Sequence, residues 1–373
     1  MKFSVKTQEF IKGISSVEGI ISVREIKSAL SNLKIEAENN SISISATDLE
    51  ISLRTTIPAE TKVKGIRSIP AKQLSSVMKS INFPLTQVEA DENEEEGKRT
   101  LITDASGVKD FKMYINGVDS EEIKTIGNHS KGSAVEFPTF IFNSMLKKVS
   151  YAVALEDTRF VFNGLYVITT EDKLVVVGTD GRRLAKIERA IPNKIPFTKG
   201  IIIPHKAVKE IVKMLELSEN GLTDLVDNQI YISTKDIELQ SKLIDGNYPD
   251  YEAVIPKVTK NTFRGNKDEF LIAIRQALIA AEEPTKQIRL GLSKNSLNIN
   301  SNNPGATEFS QNIPIEYEGE DYLIGFKGEY LQDAIRSIDD AEFVIEFSNP
   351  NSPIVLKDPS DKDYISVIMP MKL

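Results

Sequence analysis

Asp48, Glu50, Asp180, Asp245 and Asp250 are the carboxylates that could be paired for acid–base work in this chain of 373 residues, and His129 and His205 are its two imidazoles. Two carboxylates flanking one bond would suit a hydrolase, with one protonated and the other not. The aspartates, however, stand among Thr, Gly, Asn or Pro in segments that read as turns, where Asp accepts hydrogen bonds from its own backbone. The histidines are far apart in sequence, and the absence of Cys excludes disulfides and thiolate metal sites. Gly181-Arg182-Arg183 lacks the lysine–hydroxyl pair of a phosphate loop, and no dinucleotide fingerprint follows a strand. The residue types point away from an enzyme, a metal centre and a bound cofactor, and a hydrolase built on the turn aspartates is the weakest reading.

The cations show more order. Three stretches align closely: PAKQLSSVMKSI from Pro70, PHKAVKEIVKML from Pro204 and KGEYLQDAIRSI from Lys327. Leu74, Val208 and Leu331 correspond, as do Met78, Val212 and Ile335, and a cation follows in each copy: Lys79, Lys213 and Arg336. A basic residue near a helix C-terminus is favoured by the macrodipole and needs no partner. The net charge of −8 argues against tight nucleic-acid binding unless positive charge gathers on one face.

These cations lie on elements that repeat. KLVVVGTDGRRLAK, from Lys173 to Lys186, reads as strand, turn and strand, with Gly178 to Gly181 tolerating positive φ. Taken alone it is a hairpin and nothing more. SISISATDLEISL, from Ser41, and SLNINSNNPGATEFSQNI, from Ser296, repeat the layout, so one domain copied three times at intervals of about 120 to 135 residues is expected. Each copy also opens with an apolar stripe at helical spacing. The stripes are Phe10, Ile14, Val17 and Ile21; Phe142, Met145/Leu146, Val149 and Ala152/Val153; and Leu271, Ile274, Leu278 and Ala281. Short alternating segments fill the intervals, which implies an α+β fold of antiparallel sheet with two helices on one face of each copy. Linkers are expected at Gly127 to Ser133 and Lys257 to Asn266, giving domains 1–128, 129–257 and 258–373. The acidic run Glu89 to Glu96 reads as a solvated hairpin tip. With no apolar run of membrane length and no signal pattern, a cytoplasmic protein without a membrane segment is expected.

Several stretches together resemble the bacterial sliding clamps, the beta subunits of DNA polymerase III holoenzymes. They are Met1-Lys2-Phe3, Ala46 to Glu50, Arg159 with Asn163-Gly164, Thr179 to Ala185, Lys242 to Tyr251 and Met369 to Leu373, in order along the whole chain. The resemblance implies three α+β domains per subunit, and a homodimer closing head to tail into a six-domain ring around double-stranded DNA. It gives the repeated cations a place on helices that line the hole, and it assigns DNA-facing positions to Arg24, Lys79, Ser150, Phe160, Val161, Lys206, Lys213 and Arg336. It also implies a groove for short hydrophobic peptides of polymerase subunits, the clamp loader and repair proteins. That groove falls on Phe162, Thr179, Gly181, Arg182, Arg183, Leu184, Pro249, Val254, Met369, Pro370, Met371, Lys372 and Leu373. On residue types alone, the Met-Pro-Met tail also suits an edge strand packed on its own domain. A three-domain adaptor that binds proteins and encloses no DNA is the competing reading.

Overall fold

The computed structural model describes residues 1–21, 29–90, 99–117, 134–170, 172–191, 197–216, 220–226 and 228–373. Arg24, His129, the linker at 127–133 and most of the acidic run lie outside them. Six α-helices occur among the described residues: α1 (Thr7–Val17), α2 (Ala71–Ser80), α3 (Thr139–Val149), α4 (His205–Leu215), α5 (Lys267–Ala280) and α6 (Gly328–Arg336). Apart from short 3-10 turns, the remaining regular structure among the described residues is antiparallel strand. No described helix is long and apolar enough to cross a membrane.

The apolar stripes are buried as their spacing requires. Phe10, Ile14 and Val17 of α1 are sealed from solvent, and Gly13 lets α1 sit close to the sheet, since a Cβ there would lie 3.0 Å from Ile44 Cδ1. Ile20 is buried and Ile21 only half-buried, because the chain leaves α1 through a tighter turn, Glu18–Ile20, that rotates the stripe by one residue. In α4 the buried face holds Ile211, Met214 and Leu215 and leaves Val212 half-exposed. Asn266 caps α5 by accepting from the Glu269 amide at 3.1 Å, and Asp268 and Glu269 occupy its first turn.

Contacts divide the chain into two compact units, Met1–Phe140 with Lys209–Leu243, and Ile141–Val208 with Ile244–Leu373. The units differ from the repeats because strands of successive repeats pair. In the first unit, Ile237–Lys242 pairs with Ile51–Pro58, with Leu239 opposite Leu53, to build an eight-stranded sheet beside a five-stranded one. In the second, Arg183–Ala190 pairs with Asp361–Ile368 within a twelve-stranded sheet. Ladder hydrogen bonds therefore run across repeat boundaries, and the middle repeat is shared between units.

One expected linker is structured. Asn261–Asn266, inside the stretch 257–266, is a strand paired with Glu342–Phe347. Its Gly and polar content concealed the alternation: Phe263 is buried among Phe343 and Phe347, and a Cβ on Gly265 would lie 2.9 Å from the Phe343 ring.

Candidate functional site

The hairpin Lys173–Thr179 and Arg183–Ala190 is closed by the turn at Asp180-Gly181-Arg182. Thr179 Oγ1 donates to the Arg183 carbonyl at 2.6 Å and accepts from the Gly181 amide at 3.0 Å. Asp180 Oδ1 accepts from the amides of Arg182 and Arg183 at 2.9 and 3.0 Å. The first repeat builds the same turn. Thr47 bonds the Ile51 carbonyl and the Leu49 amide, and Asp48 Oδ1 accepts from Glu50 and Ile51. Asp48 and Asp180 are thus turn acceptors, and Asp250 likewise accepts from Glu252 and Ala253.

The comparison of the two turns explains Gly181. Leu49 holds φ 73° and Gly181 φ 82° at equivalent positions, so the left-handed conformation alone does not demand glycine. The close approach does. A Cβ on Gly181 would lie 3.1 Å from Arg159 Nη2 and 3.4 Å from the Phe162 ring. Arg159 stacks over Phe162 at 4.3 Å and grips Asp157 through Nε and Nη2 at 3.0 and 2.9 Å. Those hydrogen bonds hold the Asp157 carboxyl down at about 2.

Behind the turn lies an apolar and aromatic bed. Phe162 meets Tyr248 edge to face with centroids 6.5 Å apart, and Tyr248 stacks on Tyr166 at 4.7 Å. Tyr248, Tyr251 and Ile255 pack against Val175, Val177, Leu184 and Val367. Burial raises the Tyr248 hydroxyl well above its ordinary value and keeps it neutral. The short turn Glu252–Val254 is tied to the hairpin by Lys186, whose Nζ lies 2.5 Å from Glu252, and Val254 and Pro249 face solvent beside it. Beyond the hairpin turn a cavity of about 570 Å³ opens, lined by charged groups that include Asp157, Arg159, Arg182 and Lys327, with Leu155 at its wall.

Arg183 does not face the trough as a free cation. Its side chain is 11% exposed and bonds Asp180 at 3.1 Å and Asp333 of α6 at 2.8 Å, over the Tyr330 ring. The tail is divided as well. The Met369 amide donates to the Arg182 carbonyl at 2.9 Å, so Met369 stays on the hairpin with its side chain half-exposed. Met371 instead bridges Gly325, and the Lys372 carbonyl accepts from Gln287. A Cβ on Gly325 would lie 2.9 Å from Leu373 Cδ2, so glycine admits the last residues against strand Tyr322–Lys327. The structure brings Phe162, Thr179, Gly181, Arg182, Leu184 and Met369 together, and lays Met371, Lys372 and Leu373 along the third repeat.

The positions assigned to DNA fall as follows. Lys79, Lys206, Lys213 and Arg336 are exposed on α2, α4 and α6. Ser150 is half-buried and donates to the Lys147 carbonyl at 3.3 Å. Phe160, Val161 and Phe162 share one tight turn, with Phe160 facing solvent, Phe162 buried and Val161 beside Gly246.

Residue types did not reveal the buried cation that anchors this unit. Lys148 on α3 places Nζ 2.7, 2.9 and 2.9 Å from Asp339, Asp358 and Asp361. These three carboxylates are the one metal-like cluster among the described residues, and the ammonium stands where a cation would. A signal existed: Lys148 lies three residues after Met145, on the edge of the buried stripe.

Family profiles described as the DNA polymerase III beta subunit N-terminal, central and C-terminal domains match residues 1–127, 136–250 and 252–372 in that order. A beta sliding clamp of Pseudomonas putida is 28% identical over the full length of both chains, and that of Bacillus subtilis 27%. The crystal structure of the DNA polymerase III subunit beta from Pseudomonas aeruginosa superposes over the full length of both chains with a TM-score of 0.90 at 25% identity.

Proposed function

Because the chain belongs to the DNA polymerase III beta subunit family, the beta sliding clamps, we propose that two copies close head to tail around duplex DNA and tether the replicative polymerase to it. The in-order match of three domain profiles along the whole chain carries this reading. The protein is a processivity factor and not an enzyme. The adaptor that encloses no DNA is not favoured. It acts in the cytoplasm, where a bacterial chromosome lies.

Open sheet edges among the described residues support the closure. Lys112–Asn116 is the last strand of the five-stranded sheet. Thr307–Glu316 pairs along its length with Ser296–Asn303 but meets Asn261–Asn266 only through Glu316 and Ile315, so its first part has one open side among the described residues. Beside that side α5 exposes Ile272 and Ile279, and the Thr307 hydroxyl bonds the Ala280 carbonyl. An open edge with an apolar flank is a liability in a monomer and an interface in a closed dimer. Light scattering at micromolar concentration is expected to give twice 41.5 kDa; a strict monomer would refute the ring.

The duplex in this reading is held by phosphate contacts that carry no sequence information, so the protein slides. Reversing Lys79, Lys213 and Arg336 together to Glu is expected to shorten retention on circular DNA and to flatten its salt dependence while the fold persists, because all three are exposed. Unchanged retention would place these residues away from DNA.

The groove around the Thr179–Leu184 turn is the docking site for short hydrophobic segments of polymerase subunits, the clamp loader and repair proteins. The apolar bed takes Leu and Phe side chains, and the charged cavity takes a polar leading residue. The repeat boundaries 1–128, 129–257 and 258–373 stand as the units of this architecture, with the groove between the second and third.

A further inference from the structure

In the first compact unit, two of the three repeated cations already carry a counter-charge. Lys79 Nζ lies 2.9 Å from Glu18 Oε1, and Lys213 Nζ lies 2.8 Å from Glu210 Oε1. Glu18 opens the tight turn after α1, and Glu210 stands one helical turn before Lys213 on α4. Glu210 is held in place: its side chain is 8% exposed while that of Lys213 is 64%. Gly19 closes over it, since a Cβ there would lie 3.1 Å from both carboxylate oxygens of Glu210 and 3.2 Å from Lys213 Nζ.

The third repeat has a carboxylate at the same offset and uses it differently. Asp333 precedes Arg336 as Glu210 precedes Lys213, but Asp333 is drawn to Arg183 at 2.8 Å. Arg336 is left exposed at the end of α6.

We infer that Glu18 and Glu210 are fixed internal counter-charges that screen Lys79 and Lys213 from phosphate, so that among the repeat-related cations Arg336 grips the duplex and the other two let it pass. The inference rests on the encircling reading proposed above. An exposed pair of this kind is itself worth little, but it sets a carboxylate 2.9 Å from the Lys79 ammonium and 2.8 Å from that of Lys213. A phosphate must then share the ammonium with it. Fewer counterions leave the DNA, and both affinity and salt dependence stay low. A protein that must move along DNA gains from contacts that are present and weak.

The test is binding of the full-length dimer to a short fluorescent duplex with open ends, followed by anisotropy across a salt series. Glu18→Gln and Glu210→Gln are each expected to steepen the slope of log K against log salt by about 0.9, the value for one uncompensated phosphate contact. Adding Lys79→Gln to Glu18→Gln is expected to restore the parental slope, and Arg336→Gln to reduce it by a similar amount. Glu18 is the more exposed of the two carboxylates, so Glu18→Gln decides the matter even if Glu210→Gln does not fold. An unchanged slope in Glu18→Gln overturns the inference and leaves the ring untouched. The same duplex with both ends blocked separates the two readings: parental binding that ignores the blocks refutes encirclement and this inference with it.

Discussion

Replacing Lys148 with Met is expected to destabilise the protein by about 3–5 kcal/mol in urea denaturation at neutral pH, the usual cost of removing one partner from a buried ionic cluster. The ammonium is 8% exposed and is shared by three carboxylates whose oxygens lie within 4.8 Å of one another. Asp358, fully buried, also accepts from the Asp339 amide at 2.8 Å and from Ser360, and Asp361 bonds Arg189. Burial alone would raise the Asp358 carboxyl, but these hydrogen bonds and Lys148 outweigh it and hold the group at about 2 against an ordinary 3.8. Its contribution is therefore complete above pH 3.8 and is lost as pH falls through about 2. Without Lys148 the sign reverses. With Arg189 on Asp361 as the remaining counter-charge, three crowded carboxylates repel one another and bind protons more readily, so the variant recovers stability as pH falls from neutral, and its deficit is expected to shrink near pH 4, about the unfolded carboxylate value. A deficit that is small at neutral pH, or that grows on acidification, would show that the cluster does not anchor this unit. The same variant should weaken peptide docking, because Lys148 joins α3 of the second repeat to strands of the third, whose tail reaches the hairpin.

The threefold repeat was legible because its signals are local. Alternating strands, TD turns and helical stripes each fix a short stretch, and the three second helices begin and end within two residues of their expected limits. The hairpin turn was legible for the same reason, down to the aspartate that closes it. Asn261–Asn266 escaped because Gly265 and its polar neighbours follow the demands of the Phe343 ring and not of strand propensity. The compact units escaped because pairing between strands 237–242 and 51–58 is a long-range choice with no local mark. Within the site, apolar positions were visible as types, but the diversion of Arg183 to Asp333 and of Met371 to Gly325 depends on partners more than a hundred or some forty-five residues away. Gly181 was read as a turn glycine, whereas the Arg159 guanidinium packed against it is what excludes a side chain.

Deleting Met369 to Leu373 is expected to lower the affinity for a labelled Leu- and Phe-rich partner segment at least tenfold, about 1.4 kcal/mol, while the dimer persists. The structure divides that loss unequally. Met369 stays on the hairpin through its amide bond to Arg182 and exposes its side chain two residues beyond Val367, which packs with Leu184, Val177 and Tyr248. Met371 to Leu373 lie against strand Tyr322–Lys327. Met369→Ala alone should therefore account for most of the effect, since a partner Leu or Phe loses an apolar wall and full burial of such a side chain is worth about 1.5–3 kcal/mol. Ending the chain at Pro370 should cost less than Met369→Ala. Because the lost contact is apolar, the difference should hardly change with salt, in contrast to the DNA term, which falls steeply. Fluorescence anisotropy on the three variants decides the point. Equal affinity for the full-length protein and the five-residue deletion would remove the tail from the groove. A loss that follows the final three residues and spares Met369→Ala would move the docking surface from the hairpin to the edge at Gly325.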